Sequence, residues 1–210
     1  NFSYDNEVIV KNVDIKFKKG NIVGITGPSG SGKSTILGLF SLLLSSDKSM
    51  LFVDGKKIEN KEDIRGYQNL IFLTSSESFL INDTIKKNIL FGKKFEESLF
   101  KKVIKQAKLE EIYGFENGFD TVINLNNKNL STGQKQRISI ARSFYNTREI
   151  MIYDEATNAI DKISEKEIIN NICNSENKKT TILVSHDENN LRYCNEVCKV
   201  ENGNVIKIKP

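Results

Sequence analysis

Cysteine is scarce in this chain of 210 residues, with only Cys173, Cys194 and Cys198. A small, odd number argues against a disulfide framework and for a reducing compartment. Cys194 and Cys198 stand four positions apart, a spacing open to a metal pair, but His186, the single histidine, has no ligand spacing to them. Small apolar packing residues are the plainer reading of that pair. Long hydrophobic runs are also absent. No segment reaches the roughly 18 apolar residues of a membrane-spanning helix, and the longest stretch, Ile36 to Leu44, is broken by Ser41. The opening residues carry no signal-peptide pattern. Because the first residue is Asn1 and not Met, the chain is expected to be a piece of something longer. Neither charge dominates: 31 basic and 27 acidic residues leave a net charge of +4. That is a mildly basic, mixed surface, which speaks against a nucleic-acid partner. No internal repeat or low-complexity linker stands out, and the length suits one large domain or a domain with a subdomain.

What is present is a glycine-rich loop. Residues 27 to 35 read Gly-Pro-Ser-Gly-Ser-Gly-Lys-Ser-Thr and fill the G-x-x-x-x-G-K-[ST] pattern. Such glycines let the backbone wind tightly and aim N–H groups at a phosphate chain. Gly27, Ser29, Gly30, Ser31, Gly32, Lys33, Ser34 and Thr35 are therefore candidate nucleotide-binding residues. Lys33 supplies a cation for the β- and γ-phosphates, and Ser34 a hydroxyl for Mg²⁺. The helix that follows turns its positive dipole end on the same phosphates. Ile22 to Thr26 reads as a buried strand before the loop, and Thr35 to Leu44 as an apolar helix after it.

Further along, Val8–Val10, Asp14–Phe17, Met50–Val53 and Leu70–Leu73 read as strands, with Asp54-Gly55 as a turn. The pattern is helical from Asp83 to about Gln106 and again from Ser131 to about Tyr145. Two buried strands, Ile150–Tyr153 and Thr181–Val184, flank a helix near Glu165 to Cys173. A hairpin closes the chain, Val197–Val200 and Val205–Ile208 about Asn202-Gly203. The alternation implies an α/β core with a largely parallel sheet (about 1–76 and 147–210), interrupted by a helical insertion over about 77–146.

Hydrolysis needs a metal carboxylate and a means of activating water. The apolar strand Ile150 to Tyr153 ends in Asp154-Glu155. Asp154 is the candidate Mg²⁺ ligand, beside the phosphate loop at the sheet's carboxyl edge, and Glu155 the candidate proton acceptor. An exposed acidic pair at a strand end is the plainer alternative. His186 follows the strand ending at Ser185, where an imidazole could contact a γ-phosphate, although a lone histidine is more often structural. Leu130-Ser131-Thr132-Gly133-Gln134 precedes a helix. It reads equally as an anion site or as an ordinary serine N-cap.

Taken together these motifs resemble the nucleotide-binding domain of an exporter-type ATP-binding cassette (ABC) transporter, over Tyr4 to Lys207. Gly27 to Thr35 is similar to Walker A, Leu130 to Gln134 to the signature motif, and Ile150 to Glu155 to Walker B with the catalytic glutamate. Asn158 to Asp161 is similar to the D-loop, and His186 to the switch histidine. Asn82 to Ile85 with Asn88-Ile89 resembles the exporter stretch after the Q-loop. The resemblance implies a P-loop NTPase (RecA-like) core with an N-terminal antiparallel β subdomain and an inserted α-helical subdomain. It implies ATP and Mg²⁺, Tyr4 stacked on adenine, and Ser131, Gly133 and Asp161 meeting ATP across a head-to-tail homo- or heterodimer. It also implies transmembrane domains as partners at the cytosolic face of a membrane. Three positions depart from the pattern: Ser76 where a metal-reaching glutamine is usual, Thr132 where the signature has glycine, and Leu125 where exporters carry glutamate. They motivate an unequal pair of sites, beside the simpler diverged homodimer. A soluble cassette ATPase and a low-turnover regulatory module are the rival functions.

Overall fold

The structure, a computed structural model, describes residues 1–4, 7–11, 13–45, 50–124, 129–174 and 178–209. In chain order it has strands β1 (Phe2–Tyr4), β2 (Glu7–Val10) and β3 (Ile22–Thr26), then helix α1 (Lys33–Phe40). Strands β4 (Phe52–Val53) and β5 (Lys56–Lys57), helix α2 (Lys61–Gln68) and strand β6 (Ile71–Ser75) follow. Helices α3 (Ile85–Leu90), α4 (Glu97–Gln106) and α5 (Thr132–Tyr145) lead to β7 (Ile150–Asp154) and α6 (Lys162–Cys173). The chain ends with β8 (Thr180–Val184), α7 (Glu188–Leu191), β9 (Glu196–Glu201) and β10 (Asn204–Lys209). The main sheet has six strands in the order β10-β9-β3-β8-β7-β6. Strand β3 is parallel to both β8 and β9, and β10 is antiparallel to β9. Two small antiparallel pairs, β1 with β2 and β4 with β5, stand apart from it.

The chain divides into two compact units: Asn1–Ile71 with Arg148–Ile152 and Lys178–Pro210, and Phe72–Thr147 with Tyr153–Asn177. The core of the first gathers Ile25, Ile36, Leu37, Ile152, Ile182 and Val184. Such β-branched, apolar runs are what a parallel strand covered on both faces requires. In the second, Ile85, Ile89, Ile138 and Ile140 are fully buried. Phe100 meets Phe119 edge-on at 5.2 Å there.

Several expectations change. No strand forms over Asp14 to Phe17. Ile15 and Phe17 still pack on the first unit's core, Phe17 edge-on to Phe40 at 4.7 Å. Alternation reports a buried face, whereas a strand also needs a ladder partner. The helical run from Asp83 to Gln106 is broken by Phe91 (φ 45) and Gly92 (φ 85), which separate α3 from α4. Helix α1 stops at Phe40, because Leu42 turns to φ 55 and the N–H groups of Leu43 and Leu44 both donate to Gly38 O at 2.9 Å. Helix α2 has few apolar residues, with Tyr67 its one buried residue, but the Asn60 side chain caps it by accepting from Glu62 and Asp63 N–H. Burial pushes the Cys194 thiol up to about 11, and Cys198 is raised by burial as well.

Among the described residues six carboxyl groups are held below their ordinary values. The cause is Lys56 at Asp63, the Thr84 N–H at Asp83, Lys101 at Glu97, Lys179 at Glu149, the Ser164 N–H at Asp161 and Lys207 at Glu196. Each is a weaker base in the folded chain than in the unfolded one. Its stabilisation is present above the unfolded pKa and is lost as pH falls through the folded value. The urea midpoint should hold from pH 7 to about 5 and decline below about pH 4. A midpoint that stays flat to pH 3 would contradict this.

Candidate functional site

The first unit presents the glycine loop and His186 at one edge. In the parallel pairing of β3 with β8, Ile25 lies opposite Val184, and Ser185 N–H donates to Ile25 O at 3.1 Å. The loop leaves β3 just beyond Thr26, and His186 leaves β8 just beyond Ser185. The turn carrying His186 is built by Ser185 Oγ, which accepts from Asp187 N–H at 3.1 Å and from Asn190 Nδ2 at 3.2 Å. The imidazole is exposed on that fixed turn. Sequence reading passed over Ser185 and Asn190; their signal was the capping pattern Asp187-x-Asn189 that starts α7.

Within the loop, Gly27 sits at φ 147, and a Cβ there would lie 2.1 Å from Val200 O. No other residue fits that approach. Gly32 heads α1 at φ 102 and, as a glycine, gives the helix start no side-chain cap of its own. Lys33 is buried, its Nζ donating to Gly27 O and Pro28 O at 2.9 Å each. Ser31 Oγ is buried with no hydrogen-bond partner among the described residues. Thr35 is buried, whereas Ser29, Gly30 and Ser34 are exposed. An orphaned Ser31 hydroxyl, a helix start headed by glycine and a cation folded on its own loop fit a polyanion that brings acceptor oxygens. Tyr4 lies in β1, and its side chain is outside the described part of the molecule.

The second unit carries the acidic residues. Asp154 closes β7, and Glu155 follows at φ 51, a left-handed conformation unusual for a side chain of that size. Asn158 Nδ2 donates to Glu155 Oε2 at 2.8 Å. Ser76 N–H donates to Asp154 O at 2.9 Å, which brings Ser76 next to the strand end. Hydroxyl and carboxylate oxygens such as Ser34, Ser76 and Asp154 offer are the hard donors that Mg²⁺ takes.

The serine of Leu130 to Gln134 caps α5. Ser131 Oγ accepts from Gln134 N–H at 3.1 Å, and Gln134 Oε1 accepts from Ser131 N–H at 2.9 Å. Thr132 is the exposed first residue of the helix, and the capping box is complete around it. Gly133 is required by proximity, since a Cβ there would lie 2.7 Å from Ala159 O. Asp161 caps α6, with Oδ1 accepting from Ser164 N–H at 2.9 Å. Leu125 lies outside the described residues. Sequence reading also missed Gln136, a buried amide whose signal is a polar residue one turn before Ile140 on an apolar helix face.

The family profile described as ABC transporter matches residues 10–158. A probable ABC transporter ATP-binding/permease protein of Haemophilus influenzae is 33% identical over 207 residues, 97% of this chain and 37% of its own length. The ATP-dependent lipid A-core flippase of Desulfotalea psychrophila is 32% identical over 208 residues, 98% of this chain and 36% of its own. The chain thus spans little more than a third of the length of the curated relatives it matches. Among solved structures, a bacterial Atm1-family ABC exporter with ATP bound matches with a TM-score of 0.88 at 27% identity, covering 98% of this chain and 36% of that one.

Proposed function

Because the chain belongs to the ABC transporter family, we propose that it is the motor domain of a membrane exporter, hydrolysing ATP to drive transport. The observation that carries the proposal is the glycine loop, with Gly27 closed against Val200 O, Ser31 Oγ orphaned and Lys33 turned onto the loop carbonyls. No helix among the described residues is long and apolar enough to cross a membrane. The transmembrane domains are therefore partners in this reading, and the chain works at the cytosolic face of their membrane. Residues 1–76 and 147–210 form the ATP-binding core and 77–146 the helical subdomain.

Roles follow motif by motif. The amides of Gly27 to Thr35 cradle the phosphates and Lys33 neutralises the β- and γ-oxygens. Ser34 and Asp154, with Ser76 in place of the usual glutamine, would hold Mg²⁺, which when bound would supply neutralising charge at the phosphates. Glu155 takes a proton from water as its oxygen bonds the γ-phosphorus. The bond from that phosphorus to the β,γ-bridging oxygen breaks, leaving ADP and phosphate. His186 orients the γ-phosphate, Tyr4 stacks on adenine, and Ser131, Gly133 and Asp161 serve ATP on a second, head-to-tail copy or homologue. Paired with a homologue that keeps the usual glutamine and glycine where this chain has Ser76 and Thr132, the two sites are unequal; paired with a second copy of itself, they are alike.

The test is phosphate release from Mg-ATP by the purified protein, with Lys33→Ala as the control. Release that Lys33→Ala abolishes supports the motor. Tight ATP binding with no release would point to a regulatory module instead. Equal turnover at both sites of the dimer would discard the asymmetry.

A further inference from the structure

One buried amide joins three segments on which the proposed hydrolysis depends. Gln136 lies early in α5 and is 3% exposed. Its Nε2 donates to Ser76 O at 3.2 Å, and its Oε1 accepts from Ala159 N–H at 2.9 Å. Ser76 directly follows β6, and its own N–H holds Asp154 O at 2.9 Å. Ala159 stands in the turn between Glu155 and Asp161, outside any helix or strand. That turn is also pressed against the head of α5, where Gly133 leaves no room for a Cβ, at 2.7 Å from Ala159 O. Its far side is tied by Thr157 Oγ1, which donates to the buried Glu165 at 2.8 Å.

We propose that Gln136 is a positioning residue for ATP hydrolysis. It fixes the Glu155–Asp161 turn and the Ser76 segment at a set distance from the helix that begins at Ser131. This rests on the ATPase reading above. Glutamine suits the place because one amide both donates and accepts, and here a buried side chain reaches two backbone groups of exposed residues through part-buried bonds. Glutamate in its place turns an acceptor towards Ser76 O and buries a charge. Methionine fills the volume and satisfies neither group. Gln136 touches no substrate. Its effect passes through the placement of Glu155, and small displacements of a reacting group lower turnover without a matching loss of ground-state binding.

The test uses purified wild type, Gln136→Met and Gln136→Glu. It reads kcat, KM for ATP, binding of a non-hydrolysable ATP analogue, and amide hydrogen exchange at Ala159. The expected result for Gln136→Met is a kcat lower by about 10- to 100-fold. KM and analogue affinity should stay within about twofold, and Ala159 exchange should be at least about tenfold faster. Gln136→Glu keeps the acceptor for Ala159 and loses the donor to Ser76, so it lowers kcat with less change in Ala159 exchange. If Gln136→Met does not fold, the split between kcat and KM is read from Gln136→Glu. An active wild type whose variants keep kcat, lose affinity as much as kcat, or leave Ala159 exchange unchanged in Gln136→Met overturns this proposal alone. A wild type that releases no phosphate overturns the ATPase reading and this proposal with it.

Discussion

Glu155→Gln is expected to lower ATP turnover by about 10²- to 10⁴-fold, the range in which a general base contributes. The amide is isosteric with the carboxylate. Asn158 Nδ2, at 2.8 Å from Oε2 in the wild type, still finds a carbonyl oxygen to donate to. The left-handed backbone at Glu155 (φ 51) is indifferent to the exchange, because both side chains are the same size beyond Cβ. What disappears is the carboxylate that, in the proposed mechanism, accepts the proton of the attacking water. Nucleotide binding belongs to the Gly27–Thr35 loop in this reading and should stay within about twofold of wild type, by titration with a fluorescent ATP analogue. Steady-state phosphate release checks the rate. A variant that keeps its rate to within threefold would remove Glu155 from the chemistry.

Arg142→Ala is expected to be the most destabilising single change in the second unit, by about 3–5 kcal/mol. Arg142 is 5% exposed, and its guanidinium makes three bonds: to Asn88 O at 2.7 Å, Phe79 O at 2.6 Å and Asn88 Oδ1 at 3.0 Å. It also lies over the Phe91 ring at 4.6 Å. Burial alone lowers its pKa to about 10, so the charge survives at neutral pH. Asn88 is fully buried and anchors the preceding loop, with Nδ2 donating to Ile81 O and Thr84 O at 3.0 Å and Oδ1 accepting from Ile81 N–H at 2.9 Å. Truncating Arg142 strips donors from the buried Asn88 O and the partly buried Phe79 O, at roughly 1–3 kcal/mol each, and opens space beneath Phe91. Arg142→Lys places one ammonium where a planar fork reached several acceptors, so it should recover only part of the loss. Urea unfolding of the three proteins reads the difference. A shift below about 1 kcal/mol for Arg142→Ala would show that the carbonyls find other partners.

The candidate site was unevenly legible. The phosphate loop stood out because its glycine spacing and Lys-Ser pair have few other uses. Asp154, Glu155 and His186 followed because acids and an imidazole at strand ends are a pattern of residue types. Gln136, Ser185 and Asn190 were not legible as functional. A buried amide looks like any exposed one until its backbone partners, here as far away as Ser76, are known. Ser131 had two readings of equal standing in the sequence. The structure places it as the N-cap of α5, because the Gln134 N–H and side chain are both engaged with it.

Local chemistry reached the strand Ile22–Thr26, the hairpin at Asn202-Gly203 and the helix headed by Ser131, because turn residues, caps and apolar periodicity act over a few neighbours. It overran at Asp14–Phe17 and again between Leu90 and Glu97. There the outcome depended on whether a ladder partner was present and on two residues turning to positive φ. Tertiary structure alone decided that Gly133 must be glycine, that Arg142 lies in the core, and that Gln136 spans from Ser76 to Ala159. Each of these is a contact between residues far apart in the chain, and pairwise closeness of that kind leaves no periodic trace in the order of amino acids.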